Sequence, residues 1–168
     1  MVIKRTHKQL EGYLMEPKAK GIEEPYFVIK VDEQSIFVIS PGQNGLEYNK
    51  SEGFASSYPG VQNFHCLYGQ GILLLQRNDE KGESKEFKVV TLNPGKQITI
   101  PSGWVSALAN IGKSFLVILA SPDVEEEYQD RSQVKEKKGL AYYVVERKGE
   151  VAFEQNPNYS HPPQITTE

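Results

Sequence analysis

A single cysteine, Cys66, leaves the chain unable to close an internal disulfide. Histidine is scarce as well, with only His7, His65 and His161, no two of them near each other in the sequence. No apolar run approaches the roughly 20 residues that span a bilayer, and the N-terminus carries no signal-like apolar segment. Nor is positive charge in excess: 19 Lys and Arg against 22 Asp and Glu give a formal net charge of -3, which offers no field to gather phosphate backbones. These absences argue against a disulfide scaffold, a nucleic-acid partner and a membrane partner, and lead us to expect a soluble, cytoplasmic protein. Apolar residues make up 38% of the 168 positions, enough to bury one good core, so a single domain is expected.

The punctuation is that of a β protein. Residues 26–31, 35–39, 71–76, 87–92, 97–100, 114–119, 140–146 and 150–154 are short runs rich in β-branched and aromatic side chains. Turn-forming groups such as Pro41-Gly42, Asn93-Pro94-Gly95, Pro101-Ser102-Gly103 and Lys148-Gly149 separate them. Many short strands at such intervals point to a jelly roll or barrel. Two stretches differ. Leu10, Tyr13 and Leu14 fall at helical spacing ahead of Pro17, which predicts a short N-terminal helix over residues 6–15. Residues 125–138 are a mixed-charge run, read as a solvated loop or helix face.

Three segments carry a family resemblance. The spacing Gln62-x-Phe64-x-x-Leu67-x-Gly69-x-Gly71-x-x-Leu74-Leu75-Gln76, the series Pro94-Gly95, Pro101, Gly103 and Asn110-Ile111-Gly112, and the upstream Pro41-Gly42, Gly45 and Glu47-Tyr48 resemble the cupin-type phosphoglucose isomerases of archaea and some bacteria. A fainter echo runs from Lys138-Gly139 to Asn156-Pro157, so the likeness covers roughly residues 35 to 160. It implies an all-β cupin, a double-stranded β-helix or jelly-roll barrel with a short N-terminal helix. Residues 1–34 would supply that helix and edge strands packing on the barrel, 35–156 the cupin domain, and 157–168 a flexible tail. A homodimer is expected.

The resemblance also implies a metal centre of three histidines and one glutamate, a set that suits a divalent transition metal. This chain departs from it at every ligand. Aligned on Gly69 and Asn110, Phe54 and Ser56 stand at the two early histidines, Gln62 at the glutamate and Ser106 at the last histidine. No metal and no other cofactor is therefore expected. His65 cannot substitute, because side chains alternate along a strand: if Gln62 points inward, Phe64 and Cys66 follow and His65 points out, as a surface or dimer-contact residue. His7 and His161 are read as solvent-exposed.

Isomerisation of an aldose needs a carboxylate-like base or a Lewis acid at the carbonyl, and the amide of Gln62 is neither. Catalytic residues are accordingly not assigned. What persists is the frame of a phosphate site, since Ser51 and Gly53 occupy the places of a threonine and a glycine that the family uses as donors. Phe54, Phe64, Cys66 and Trp104 make the pocket more apolar than an isomerase's, and Tyr128 is a further pocket candidate. Gly69-Gln70-Gly71 opens no helix and so is no dinucleotide fingerprint, and Ser132-x-x-Lys135 is an isolated match. The reading is a metal-free cupin binding a small molecule such as a sugar phosphate. An active isomerase and a structural or partner-binding dimer are the alternatives.

Overall fold

The computed structural model describes all residues, Met1–Glu168. The chain opens with strand β1 (Val2–Arg5), helix α1 (His7–Leu10) and a 3-10 turn at Glu11–Tyr13. There follow β2 (Tyr26–Val31), β3 (Gln34–Ile39), β4 (Gln43–Asn44), β5 (Glu47–Tyr48), β6 (Phe54–Ser56), β7 (Gln62–Tyr68), β8 (Gly71–Asn78) and β9 (Ser84–Leu92). The remainder is β10 (Gln97–Ile100), β11 (Val105–Asn110), β12 (Leu116–Ser121), a 3-10 turn at Glu126–Tyr128, β13 (Gln129–Asp130), α2 (Ser132–Glu136), β14 (Tyr142–Arg147), β15 (Glu150–Gln155) and β16 (Ile165–Thr167).

Two six-stranded sheets form the cup. The first has the order β1-β2-β3-β12-β7-β10 and the second β13-β6-β11-β8-β9-β16. Beside the consecutive pairs β1-β2-β3 and β8-β9, strands distant in sequence lie side by side, β3 with β12, β12 with β7 and β6 with β11, as in the jelly roll expected from the sequence. Between the sheets lies one core, in which Ile39, Phe64, Cys66, Ile118 and Ala120 of the first meet Leu73, Leu75, Val90 and Leu108 of the second. A second core lies on the other side of the second sheet. There Ile72, Leu74, Phe87, Val89 and Val105 pack against Leu10, Tyr13 and Leu14 of the N-terminal segment and against Leu140, Tyr142 and Val144. The second sheet is thus buried on both faces, which is why β8 and β11 read as unbroken buried runs rather than alternating ones.

The expected helix is shorter than its spacing suggested. Thr6 caps α1 through a capping box with Gln9, but the helix gives way at Glu11–Tyr13 to a 3-10 turn containing Gly12. Its apolar face behaves as predicted, with Leu10, Tyr13 and Leu14 all buried. Strand β11 escaped the sequence pattern because Ser106, Ala107 and Asn110 are weak strand formers, and burial on both faces decides the matter. Gly71 explains itself: a Cβ there would lie 2.4 Å from Leu116 Cδ2 and 2.8 Å from the Ala109 carbonyl oxygen.

The last dozen residues correct the expectation of a flexible tail. Ile165–Thr167 pairs in parallel with Phe87, Lys88 and Val89, and Tyr159 is buried in the second core. The Tyr159 hydroxyl donates to the Gly139 carbonyl at 2.9 Å and accepts from Gln76 Nε2 at 3.2 Å. Burial pushes that phenol up to about 12. Gln76, itself fully buried, accepts from the Ala141 N–H at 2.8 Å, so one amide ties β8 to both later segments.

Candidate functional site

The cavity opens at the end of the cup where β6 and β11 run beside each other. Phe54 and Ser106 are direct register partners there, and Phe64 faces them from the opposite sheet with its ring centroid 6.1 Å from that of Phe37. Phe54, Ser106 and Phe64 line one pocket together with Ser51 and Gly53, so five of the eight residues singled out in the sequence converge. The pocket volume is about 50 Å³, space for roughly three waters.

Three candidates lie elsewhere. Gln62 is buried on β7, and its amide donates to the Pro122 carbonyl at 3.0 Å, which holds it to the wall rather than in the pocket. Ser56 is occupied locally, accepting from the Tyr58 N–H at 3.3 Å. Tyr128 makes an edge-to-face pair with Tyr58 at 5.7 Å beside a separate surface hollow that includes Asp32, Glu33, Asp123 and Glu125.

Ser51 and Gly53 also do structural work. The Ser51 Oγ accepts from the Leu108 N–H at 3.0 Å, and the backbone of Ser51 donates to the Leu108 carbonyl at 2.8 Å. Gly53 has φ of +84°, and a Cβ would sit 3.1 Å from both Ala107 Cβ and the Ser106 carbonyl oxygen. Only glycine fits this turn into β6 without displacement.

Sequence reasoning missed the charged half of the pocket. Glu52, 8% exposed, accepts from the Tyr26 hydroxyl at 2.8 Å and attracts two guanidinium groups, Arg5 at 3.0 Å and Arg131 at 3.8 Å. Burial first and the neighbouring carboxylate second hold the Tyr26 phenol well above its ordinary range, so it stays a neutral donor. The Nε atoms of Arg5 and Arg131 are buried yet donate no aligned hydrogen bond. Arg131 lies over the Phe54 ring, 5.2 Å from its centroid. Lys30 and Asp123 pair at 3.0 Å on the same wall. The signal was faint: Arg131 sits in the run read as solvated, and Arg5 is legible only once β1 alternates Ile3 and Arg5 inward.

The histidines divide. His65 alternates with buried Phe64 and Cys66 on β7 and is half-buried, pairing in register with Gln97 and Leu119. His161 is exposed, but His7 is half-buried with an unpartnered Nδ1, against the expectation of a solvent-exposed side chain. It packs where a Cβ at Gly21 would meet it at 2.5 Å. Cys66 is a small core residue, 1% exposed, and burial pushes its thiol up.

A family model described as Glucose-6-phosphate isomerase (GPI) matches residues 23–161. The chain belongs to that family. Glucose-6-phosphate isomerase of Pyrococcus furiosus is 27% identical over 170 residues, covering 92% of this chain and 86% of that one. The enzyme of the same name from Thermococcus onnurineus is 25% identical with the same coverage, 92% and 86%. Among solved structures, an oxalate decarboxylase from Lactobacillus farciminis aligns with TM-score 0.48 and 17% identity, covering 64% of this chain and 32% of that one. The Drosophila melanogaster CENP-C cupin domain aligns with TM-score 0.43 and 12% identity over 62% of this chain and 74% of that one.

The metal centre that the resemblance implies can be tested on the donors present. Phe54 offers no ligand atom, Gln62 is engaged by Pro122, and Ser56 and Ser106 offer only neutral hydroxyls, poor ligands for a divalent transition metal. No three His, Cys, Asp or Glu side chains are grouped so as to hold a metal ion. The residues at these positions do not fit the group. No helix is long and apolar enough to cross a membrane.

Proposed function

We propose that the pocket binds a small phosphorylated sugar through cationic and hydroxyl donors, and that this family member does not isomerise it. The observation that carries the reading is the pair of guanidinium groups on the pocket wall. Arg5 and Arg131 share one carboxylate, and each has a buried Nε without an aligned acceptor. An anionic oxygen supplies what both lack, and guanidinium forks suit phosphate. Ser51 accepts from Leu108, which leaves its hydroxyl hydrogen for a ligand.

A hexose phosphate needs more room than about 50 Å³. Arg131 supplies it by swinging off the Phe54 ring, since its side chain is 28% exposed and hydrogen-bonds poorly where it rests. The sugar then lies against Phe54 and Phe64, and its phosphate replaces Phe54 as the partner of Arg131. Gln62 is an amide turned to Pro122 and cannot act as a base, Glu52 beside the pocket is paired with two arginines and Asp123 on its wall with Lys30, which leaves the exposed Glu126 as the one carboxylate of the lining outside an ion pair.

The test is calorimetry with glucose 6-phosphate and fructose 6-phosphate beside a coupled isomerase assay with and without divalent metal. Binding at millimolar ligand or tighter is expected, weakened by Ser51→Ala by about 1 kcal/mol or more, as for a hydrogen bond to a charged group. Turnover of about one per second that follows the protein through purification would make it an active isomerase instead. The small, largely apolar cavity favours a second reading, a structural cupin, which absence of binding at millimolar ligand would support.

A further inference from the structure

The segment that follows β12 supplies the pocket with acceptors as well as a cation. Asp123, Glu126, Gln129 and Arg131 all line the pocket, and β13 pins the segment to β6 by pairing Gln129 with Ser56 and Asp130 with Ala55. The Gln129 amide donates to the Val124 carbonyl at 2.7 Å, which leaves its Oε1 without a protein donor. Asp123 is taken by Lys30, whereas the exposed Glu126 forms no ion pair. Burial works against the charge of Arg5, but Tyr26, Glu52 and Glu126 outweigh it and raise that guanidinium above its ordinary range, so Glu126 stands within electrostatic reach of Arg5. Charge balance decides what fits. Arg5, Lys30 and Arg131 share the lining with Asp123 and Glu126, and Glu52 is bound to the two arginines, so cations and carboxylates are equal in number. A phosphate dianion entering alone leaves uncompensated negative charge beside Val28, Phe54, Phe64 and Leu108. A positive group on the same ligand offsets it.

We propose that the ligand carries charges of both signs: an amino sugar phosphate, whose phosphate takes the free Nε donors of Arg5 and Arg131 and whose ammonium takes Glu126 and the Gln129 Oε1. This rests on the phosphate reading of the same pocket and adds to it the end of the ligand that the acceptors receive. An ammonium has three donors and no acceptor, so it satisfies the carboxylate and the amide oxygen together. A sugar hydroxyl in its place brings one donor and no charge, and a hydrogen bond between two charged groups is about twice as strong as a neutral one. Glu126 is therefore the residue that tells an amine from a hydroxyl, while Ser51 serves the phosphate.

Calorimetric titration of glucosamine 6-phosphate beside glucose 6-phosphate, at neutral pH and low salt, tests this on the full chain. The amine is expected to bind about fivefold more tightly, the scale of one partly exposed ion pair. Glu126→Gln should bring the two affinities together without moving the melting temperature, since the side chain is exposed and unpaired. Raising the pH until the ligand's amine is neutral should remove the preference as well, which separates charge from shape. Equal affinities of the wild-type chain for the two ligands would overturn the proposal and leave the phosphate reading standing. A preference that survives Glu126→Gln, or one that persists with the amine neutral, would overturn it too. Binding of neither ligand at millimolar concentration would refute the phosphate reading and the proposal with it.

Discussion

Two buried carboxylates stand five residues apart, and they have opposite surroundings. Glu47, 1% exposed, meets Lys50 Nζ at 2.6 Å and accepts from the Met15 N–H at 3.0 Å, while Lys50 donates to the Tyr13 carbonyl at 2.6 Å and lies over the Tyr143 ring. This pair is walled in by the N-terminal turn and β14 and does not line the pocket beside Phe54 and Ser106. Burial pushes the Glu47 carboxyl up and Lys50 pulls it down, the balance remaining upward. Glu52 instead holds two arginines loosely at the rim of a pocket. A buried ion pair whose members also bond the backbone of neighbouring segments fixes the packing of those segments. One beside a cavity, with donors left over, can exchange a partner.

Removing a partner should separate the two. Lys50→Met leaves Glu47 buried and unpaired, and a loss of about 3–5 kcal/mol in urea denaturation is expected. Sugar-phosphate affinity of the folded fraction should not change. The double substitution Glu47→Leu with Lys50→Met should regain most of that stability, since it leaves no uncompensated charge.

Rebuilding the family's donors acts on the pocket side. Phe54→His, Ser56→His, Gln62→Glu and Ser106→His together should lower the apo melting temperature, because unpaired polar groups in an apolar site cost about 1–3 kcal/mol each. Added Fe, Mn, Ni or Zn should restore part of it by mass action. Calorimetric melts with and without metal check this, and metal-independent melting would mean that Ser56 and Gln62 do not turn toward Phe54 and Ser106.

The smallest stability effect should come with the largest change in binding. Arg131→Ala removes a partly exposed, misaligned charge, so unfolding should shift by no more than about 1 kcal/mol. Affinity for fructose 6-phosphate should nevertheless fall about tenfold or more, as expected for a charged hydrogen bond. A stability loss above 3 kcal/mol with binding unchanged would place Arg131 in the same class as Lys50.

Much of the fold was legible because strand chemistry and register agree. Residues 26–31 and 97–100 were recognised at their observed limits, since both are β-branched runs bounded by turns. Parity along β7 was readable from Phe64, His65 and Cys66 alone. What escaped depended on distant contacts. Tyr159 and residues 165–167 look like a tail until Gln76 and β9 are brought to them. The site was half legible: Phe54 and Ser106 follow from spacing, whereas Arg5, Glu52 and Arg131 come from three separate segments that only the fold assembles.

A pocket that binds its ligand with protein donors needs no metal to do so. Titration of fructose 6-phosphate into EDTA-treated protein, repeated after adding Mn or Fe, tests it most directly. Binding at millimolar ligand or tighter, with the same affinity in both samples, is expected. Binding that appears only after metal is added would contradict it.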